Sequence, residues 1–214
     1  MVNRVKKRSL VFGVGINDAD YNTSITKSYT QSDGKRTKKI VWRCPFYTRW
    51  YNMLRRAYNP NLHNDRPTYI DCSVNNDWLT FSNFKTWMEQ QDWEGKELDK
   101  DLLFPDNKEY GPDTSIFVSK EVNMFVVELS SRRGKWPIGV SYNKNAKKFQ
   151  ASLKMNGTSI YLGYYDTPKE AHKAWLSCKL KKAHILAAQQ TDERIAKALI
   201  DRYENYIKYF EERK

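Results

Sequence analysis

Between residues 139 and 188 the hydrophobic period changes once, from two to about 3.6, and this change restricts the fold more than any other feature of the chain. Three short segments, Gly139 to Tyr142, Lys148 to Met155 and Ser159 to Tyr164, read as strands. The first turn holds Asn143-Lys144-Asn145. The second is Asn156-Gly157, a pair that accepts the left-handed backbone a two-residue hairpin requires. Asp166-Thr167-Pro168 then opens a helix with a capping side chain and a proline at the first turn, where its missing N–H costs nothing. That helix carries Ala171, Ala174, Trp175 and Leu180 and runs to about Ala188. A sheet of three strands cannot stand alone in water, so the helix must cover one face. Alternation in the middle strand sends Phe149, Ala151 and Leu153 to the covered face and leaves Lys148, Gln150, Ser152 and Lys154 outward.

Charge is segregated along the 214 residues. Residues 1–39 carry 9 basic and 3 acidic side chains, and residues 40–130 carry 10 and 14. Residues 131–188 carry 12 and 2, residues 189–214 carry 6 of each, and the net charge is +12. Two basic stretches therefore flank an acidic middle. Basic surfaces gain affinity for polyanions by releasing condensed counterions, which points to a nucleic-acid partner; the plainer alternative is a solvated basic face. The aromatic share of 14% is enough to build real cores. No apolar run reaches the roughly 20 residues of a bilayer span, and the N-terminus lacks a signal-peptide core, so no membrane partner is expected. Cys44, Cys72 and Cys178 are scattered without a C-x-x-C pair. Neither a zinc site nor a disulfide framework is expected, and the compartment read from this is the cytoplasm.

After a basic opening (Arg4, Lys6, Lys7, Arg8), Leu10 to Ile16 is predicted as a short buried strand, and the polar stretch ending at Gly34-Lys35-Arg36-Thr37-Lys38-Lys39 as a loop. A helix is predicted from Pro45, with Trp50 and Leu54 on one face, stopped by Asn59-Pro60-Asn61. A second is predicted over Asn76 to Gln90, with Trp78, Phe81, Trp87 and Met88 as its core stripe. Glu97 to Leu103, a turn at Pro105-Asp106-Asn107, a strand at Ser115 to Val118 and a short helix from Lys120 to Phe125 follow. Ser130, Ser131 and Gly134 mark a boundary. The last 24 residues form an amphipathic helix with Ile195, Leu199, Tyr203, Tyr206 and Phe210 as its stripe, which docks on the body or pairs two chains as a homodimer. The predicted class is α+β, with divisions at 1–40, 41–130, 131–190 and 191–214.

The outward strand face has the chemistry of a DNA reader. Gln150 suits bidentate contact with adenine, Lys148 and Lys154 suit phosphate or guanine, and Ser152 suits either; Lys144 and Lys147 add positive charge at the first turn. The runs Ile138-Gly139-Val140-Ser141-Tyr142, Phe149-Gln150-Ala151-Ser152-Leu153, Tyr161-Leu162-Gly163-Tyr164-Tyr165-Asp166-Thr167, Glu170-Ala171 and Ala174-Trp175 resemble the APETALA/ethylene-response-factor type DNA-binding domain. The resemblance implies three antiparallel strands packed on a helix, with the sheet reading double-stranded DNA. The arginine-rich strands of the plant members are replaced here by lysine and polar residues.

Asp99, Asp101, Asp106 and Asp113 cluster around a turn, where the bland reading is a set of surface carboxylates. Leu98-Asp99-Lys100-Asp101, Asn107, Tyr110 to Val118 and Asn123 resemble the ββα metal finger of HNH endonucleases. The layout of Trp50-Tyr51-Asn52-Met53-Leu54, Tyr69 to Val74, Trp78-Leu79-Thr80-Phe81 and then Leu98-Asp99-Lys100-Asp101 ahead of an APETALA-type domain resembles phage homing endonucleases. The resemblance implies that Asp99 and Asn123 hold Mg²⁺ or Mn²⁺ for phosphodiester hydrolysis. Lys100 stands where those enzymes carry the histidine general base, and between two aspartates it suits a phosphate contact better than a base. His63 is the candidate substitute base, while His172 and His184 fall on the helix of the basic domain. Two functional classes follow: a phage-type homing or nicking endonuclease, and a DNA-binding regulator (a repressor) descended from one and catalytically silent. A protein-binding module without a nucleic-acid role leaves the basic segment unexplained.

Overall fold

A computed structural model describes residues 9–127, 135–155 and 157–212 of the chain. The basic opening at residues 4–8, the boundary residues Ser130, Ser131 and Gly134, and Asn156 of the second turn lie outside the described residues. The elements are mixed helix and strand, as an α+β chain requires, and they group into two compact units, Met1–Phe117 and Val118–Lys214.

The core of the first unit is aromatic. Helix α1 (Pro45–Tyr58) buries Trp50, Met53, Leu54 and Ala57 on one stripe. Against them pack Trp78, Phe81, Phe84 and Met88, and the Trp50 indole donates to the Trp78 carbonyl at 2.7 Å. After the short helix α2 (Pro60–Asp65), the predicted second helix is broken in two: a 3₁₀ turn at Asn76–Leu79, then helix α3 (Phe81–Glu89). Thr80 between them is extended because Ile16 docks on the backbone there, its N–H donating to Leu79 and its carbonyl accepting from Phe81 at 2.8 and 2.9 Å.

Leu10 to Ile16 is accordingly not a strand. Phe12 and Gly13 take positive φ, so the chain folds back and Val11 and Gly15 exchange both backbone hydrogen bonds at 2.8 Å. Gly15 lies so close to helix α1 that a Cβ would sit 2.4 Å from Leu54 Cδ1. The predicted loop after it is also corrected, to an antiparallel ribbon of β1 (Ser24–Thr30) and β2 (Arg36–Arg43). Backbone pairing alone organises it, since almost none of its side chains is buried, and hydrophobic periodicity has nothing to report there.

Beyond Asn59, which ends helix α1, the same residue caps α2 by accepting from the Asn61 and Leu62 amides. His63 therefore sits in helix α2. Strand β3 (Ser73–Val74) pairs in parallel with β5 (Glu109–Tyr110), a contact between distant segments that no local pattern foretold. Strand β4 (Glu97–Asp99) pairs with β6 (Ile116–Val118), the strand in which the first unit ends.

The second unit begins with helix α4 (Lys120–Val126), capped by Ser119. Strands β7 (Val140–Asn143), β8 (Lys148–Met155) and β9 (Thr158–Tyr165) form the expected antiparallel sheet in sequence order. Helix α5 (Pro168–Ala187) starts with a capping box in which the Thr167 hydroxyl accepts from the Glu170 amide and the Glu170 carboxylate accepts from the Thr167 amide, both at 3.2 Å. Its Trp175 and Leu176 pack on Leu153 of the sheet. Gly139 permits this approach: it has φ of 78°, and a Cβ there would fall 2.0 Å from the Trp175 ring. Helix α6 (Glu193–Glu212) buries Ile195, Leu199 and Tyr203, and Tyr206 and Phe210 pack on the same core, so the stripe docks on the body. Between α4, α5 and α6 the buried Lys179 donates to the Phe125 carbonyl at 2.6 Å, its ammonium 3.9 Å from the Phe125 ring centroid and 5.0 Å from that of Tyr203. An orphan carbonyl at the end of α4 is thus satisfied by a cation held among rings.

Candidate nucleic-acid interface

Side chains directly opposite one another in an antiparallel pair share a face. Gln150 lies opposite Ser141 on β7 and Tyr164 on β9; Lys148 lies opposite Asn143, Ser152 opposite Tyr161, and Lys154 opposite Ser159. The inward positions Ala151 and Leu153 are buried, Lys148 and Lys154 are exposed, and Gln150 and Ser152 are half-buried. Every outward residue predicted on β8 therefore stands on one surface, opposite the face covered by α5.

Two tyrosines that sequence reasoning missed stand on that surface. Strict alternation sets Tyr161 and Tyr164 on opposite faces of β9. The register shifts between Ala151 and Ser152, however, and Leu162 is left without an opposite residue, packing on the core instead. Both tyrosines consequently turn outward, 56% and 42% exposed, with ring centroids 5.4 Å apart in an edge-on arrangement. The Tyr164 hydroxyl accepts from the Asn143 side-chain amide at 2.9 Å. Gly163 was the available signal, because an isolated glycine within a strand marks a bulge.

The turn between β7 and β8 is closed by a side chain of its own. The Asn143 side-chain oxygen accepts from the Asn145 and Ala146 amides, both at 3.0 Å, and Lys147 takes φ of 51° to close the turn. Lys144 and Lys147 are exposed at this end of the sheet, next to Lys148. Lys148 is ion-paired with Asp166 at 3.1 Å, both side chains solvent-facing. Such a surface pair contributes at most about 1 kcal/mol, so a phosphate can displace the carboxylate at little cost. Three strands about 4.8 Å apart span a width that the major groove, about 12 Å across, accommodates.

The residues of the second candidate site are distributed differently. Asp99 is half-buried, and one carboxylate oxygen accepts from the Asp101 and Leu102 amides at 2.8 and 2.7 Å. Burial raises its pKa above the ordinary aspartate value, opposed by those two hydrogen bonds. Lys100 is only 6% exposed. Its ammonium is ion-paired with Asp101 and donates to the Asn107 carbonyl at 2.6 Å, while the Asn107 amide donates back to the Lys100 carbonyl at 2.9 Å. Lys100 thus clamps the loop from 100 to 109 and is not a solvent-facing phosphate contact. Asp101, Asp106 and Asp113 are exposed, as the bland reading has them.

Asn123 lies on α4 in the second unit, whereas Asp99 belongs to the first. Asn123 lines a cavity of about 730 Å³ together with Phe125, Leu153, Trp175 and Leu186, and Glu121, the carboxylate in that lining, is ion-paired with Lys182 at 3.3 Å. Among the described residues no group of three or more His, Cys, Asp or Glu side chains is placed to hold a metal ion. The His63 Nε2 donates to the Arg56 carbonyl at 2.8 Å, which commits one ring nitrogen to structure. His172 donates through Nδ1 to the Ile138 carbonyl at 2.8 Å and stacks on Trp175, a packing role; His184 is exposed on α5. No helix among the described residues is long and apolar enough to cross a membrane. No protein-family model, curated protein or solved structure matches the chain.

Proposed function

We propose that the protein binds double-stranded DNA through the outward face of the β7–β8–β9 sheet, with Lys144, Lys147, Lys148 and Lys154 on phosphates and Gln150 and Ser152 on base edges. The observation that carries this reading is a single exposed face on which Lys148 and Lys154 flank a hydrogen-bonding centre, with Lys144 and Lys147 exposed in the adjoining turn, while the opposite face is spent on a helix. Among the two functional classes, a regulator that binds without cutting is favoured by Lys100, whose engagement inside its own loop leaves the histidine position of a nuclease finger without a replacement base. Salt titration of binding tests the interface. Lys148→Ala and Lys154→Ala should each flatten the log–log salt dependence by about one unit, and Gln150→Ala should cost about 1–3 kcal/mol on a preferred site while relaxing base preference. Unchanged slopes in both lysine variants would refute this placement.

Metal-assisted cleavage of DNA is the second reading, favoured by one observation. The Asp99 carboxylate is half-buried, its burial disfavours the charged form, and a divalent cation would offset that cost. Supercoiled DNA incubated with the protein and Mg²⁺ or Mn²⁺ decides between the two. Nicked or linear product that is lost in Asp99→Ala establishes a nuclease; retention of intact DNA by the protein establishes the regulator.

A further inference from the structure

The ribbon of β1 and β2 is exposed on both faces. From Ile25 to Thr30 every side chain of β1 is solvent-facing, and in β2 only Thr37 and Arg43 are partly covered. A two-stranded ribbon without a covering layer is marginal in water, yet this one also sets two like charges directly opposite each other, Lys27 and Lys39. Residues 24–43 hold 6 basic side chains and 1 acidic one, Asp33 at the tip, which is already ion-paired with Lys35 at 3.1 Å. The ribbon is tied to its unit at its base, where the Cys44 amide donates to the Thr23 carbonyl at 2.9 Å and both residues are buried.

The register distributes the charge over two sides. Lys27 and Lys39 share one face; Lys38, Arg36 and Arg43 share the other. A membrane surface or a flat protein partner neutralises one face of a ribbon and leaves the second repelling itself in solvent. A groove with phosphates along both walls neutralises both. Seven paired residues extend about 23 Å, and a two-stranded ribbon fits the major groove of B-form DNA.

We infer that the β1–β2 ribbon is a second DNA-contacting element, inserted in the major groove with Lys27 and Lys39 toward one phosphate wall and Arg36 and Lys38 toward the other. The inference rests on the reading of duplex DNA as the ligand but uses residues remote in sequence from the β7–β9 sheet.

The test uses the full chain and a fluorescein-labelled duplex of mixed sequence, about 30 base pairs long, with affinity followed against salt. The quadruple variant Lys27→Ala/Arg36→Ala/Lys38→Ala/Lys39→Ala should flatten the log–log slope by about three units and weaken binding about 100-fold at moderate salt. The two one-face variants, Lys27→Ala/Lys39→Ala and Arg36→Ala/Lys38→Ala, should each produce about half of the slope change. All four side chains are exposed, so thermal melting of the variants should match the wild type. A quadruple variant with the wild-type slope, alongside sheet variants that do flatten it, overturns the ribbon and spares the sheet. A slope change confined to one face overturns groove insertion. Loss of binding to phosphatidylserine vesicles with unchanged DNA affinity makes the ribbon a membrane contact and also overturns the inference. A wild-type chain that does not bind the duplex overturns the proposed function itself.

Discussion

Single residues here are often used twice. Asn59 ends one helix and caps the next; Asn143 closes a turn with its oxygen and holds Tyr164 with its amide. Asp99 carries a charge that its surroundings disfavour. Burial disfavours its carboxylate, so the folded chain holds the proton more tightly than the unfolded chain does. The sign follows: this residue costs no stability below the ordinary aspartate pKa, and the cost builds as pH rises through the window up to the raised value, remaining in full at neutral pH. Asp99→Asn keeps an oxygen for the Asp101 and Leu102 amides and removes the charge. It should therefore raise the melting temperature at neutral pH, with the gain shrinking as the pH falls through that window. Chemical and thermal melts across pH check this. A divalent cation that raises the wild-type melting temperature but not that of Asp99→Asn would favour the nuclease reading.

Elements owe their functional faces to register more than to propensity. Strand β9 shows this most directly, since the shift at Leu162 decides that both Tyr161 and Tyr164 face outward with Gln150 and Ser152. Neutral rings on a DNA-facing surface contribute by packing on sugars and bases and by hydroxyl hydrogen bonds, without displacing counterions. The double variant Tyr161→Ala/Tyr164→Ala should therefore weaken DNA binding about 10-fold while leaving the salt slope at its wild-type value, in contrast to the lysine variants. A flattened slope in that variant would mean the tyrosines act by holding lysines in place. Helix α5 contributes in the opposite way: its capping box, its Trp175 against Gly139 and its Lys179 beneath α4 are all directed inward, which frees the other side of the sheet.

At the level of the whole molecule, each unit has its own buried core: Trp50, Trp78, Phe81 and Phe84 in the first, and Leu153, Trp175 and Leu176 in the second. A fragment comprising residues 118–214 should accordingly melt as a cooperative unit by circular dichroism. It should also bind duplex DNA with a shallower salt dependence than the full chain, because the basic ribbon is missing from it. A fragment that is unfolded would show that the second core depends on residues of the first unit. The charge segregation along the sequence fits this organisation, since the two basic stretches supply one exposed element in each unit.

Where burial repeats at a fixed period over many residues, the sequence alone determined the outcome. The three strands, the covering helix α5, the stripe of α6 and helix α1 from Pro45 all follow from apolar positions whose spacing admits one secondary structure, and the outward set Lys148, Gln150, Ser152 and Lys154 follows from the same alternation. Tertiary structure decided whatever depends on a partner distant in the chain. Ile16 docking on Leu79 and Phe81 broke a predicted helix at Thr80; backbone pairing without burial made a ribbon of an apparent loop; the pairing of β3 with β5 had no local signal. Lys100 shows the same limit at a candidate site. Its neighbours in sequence are two aspartates, but its burial and its bond to Asn107 come from the folding back of the loop, and a side chain's solvent access is a property of that packing, not of its neighbours in the chain.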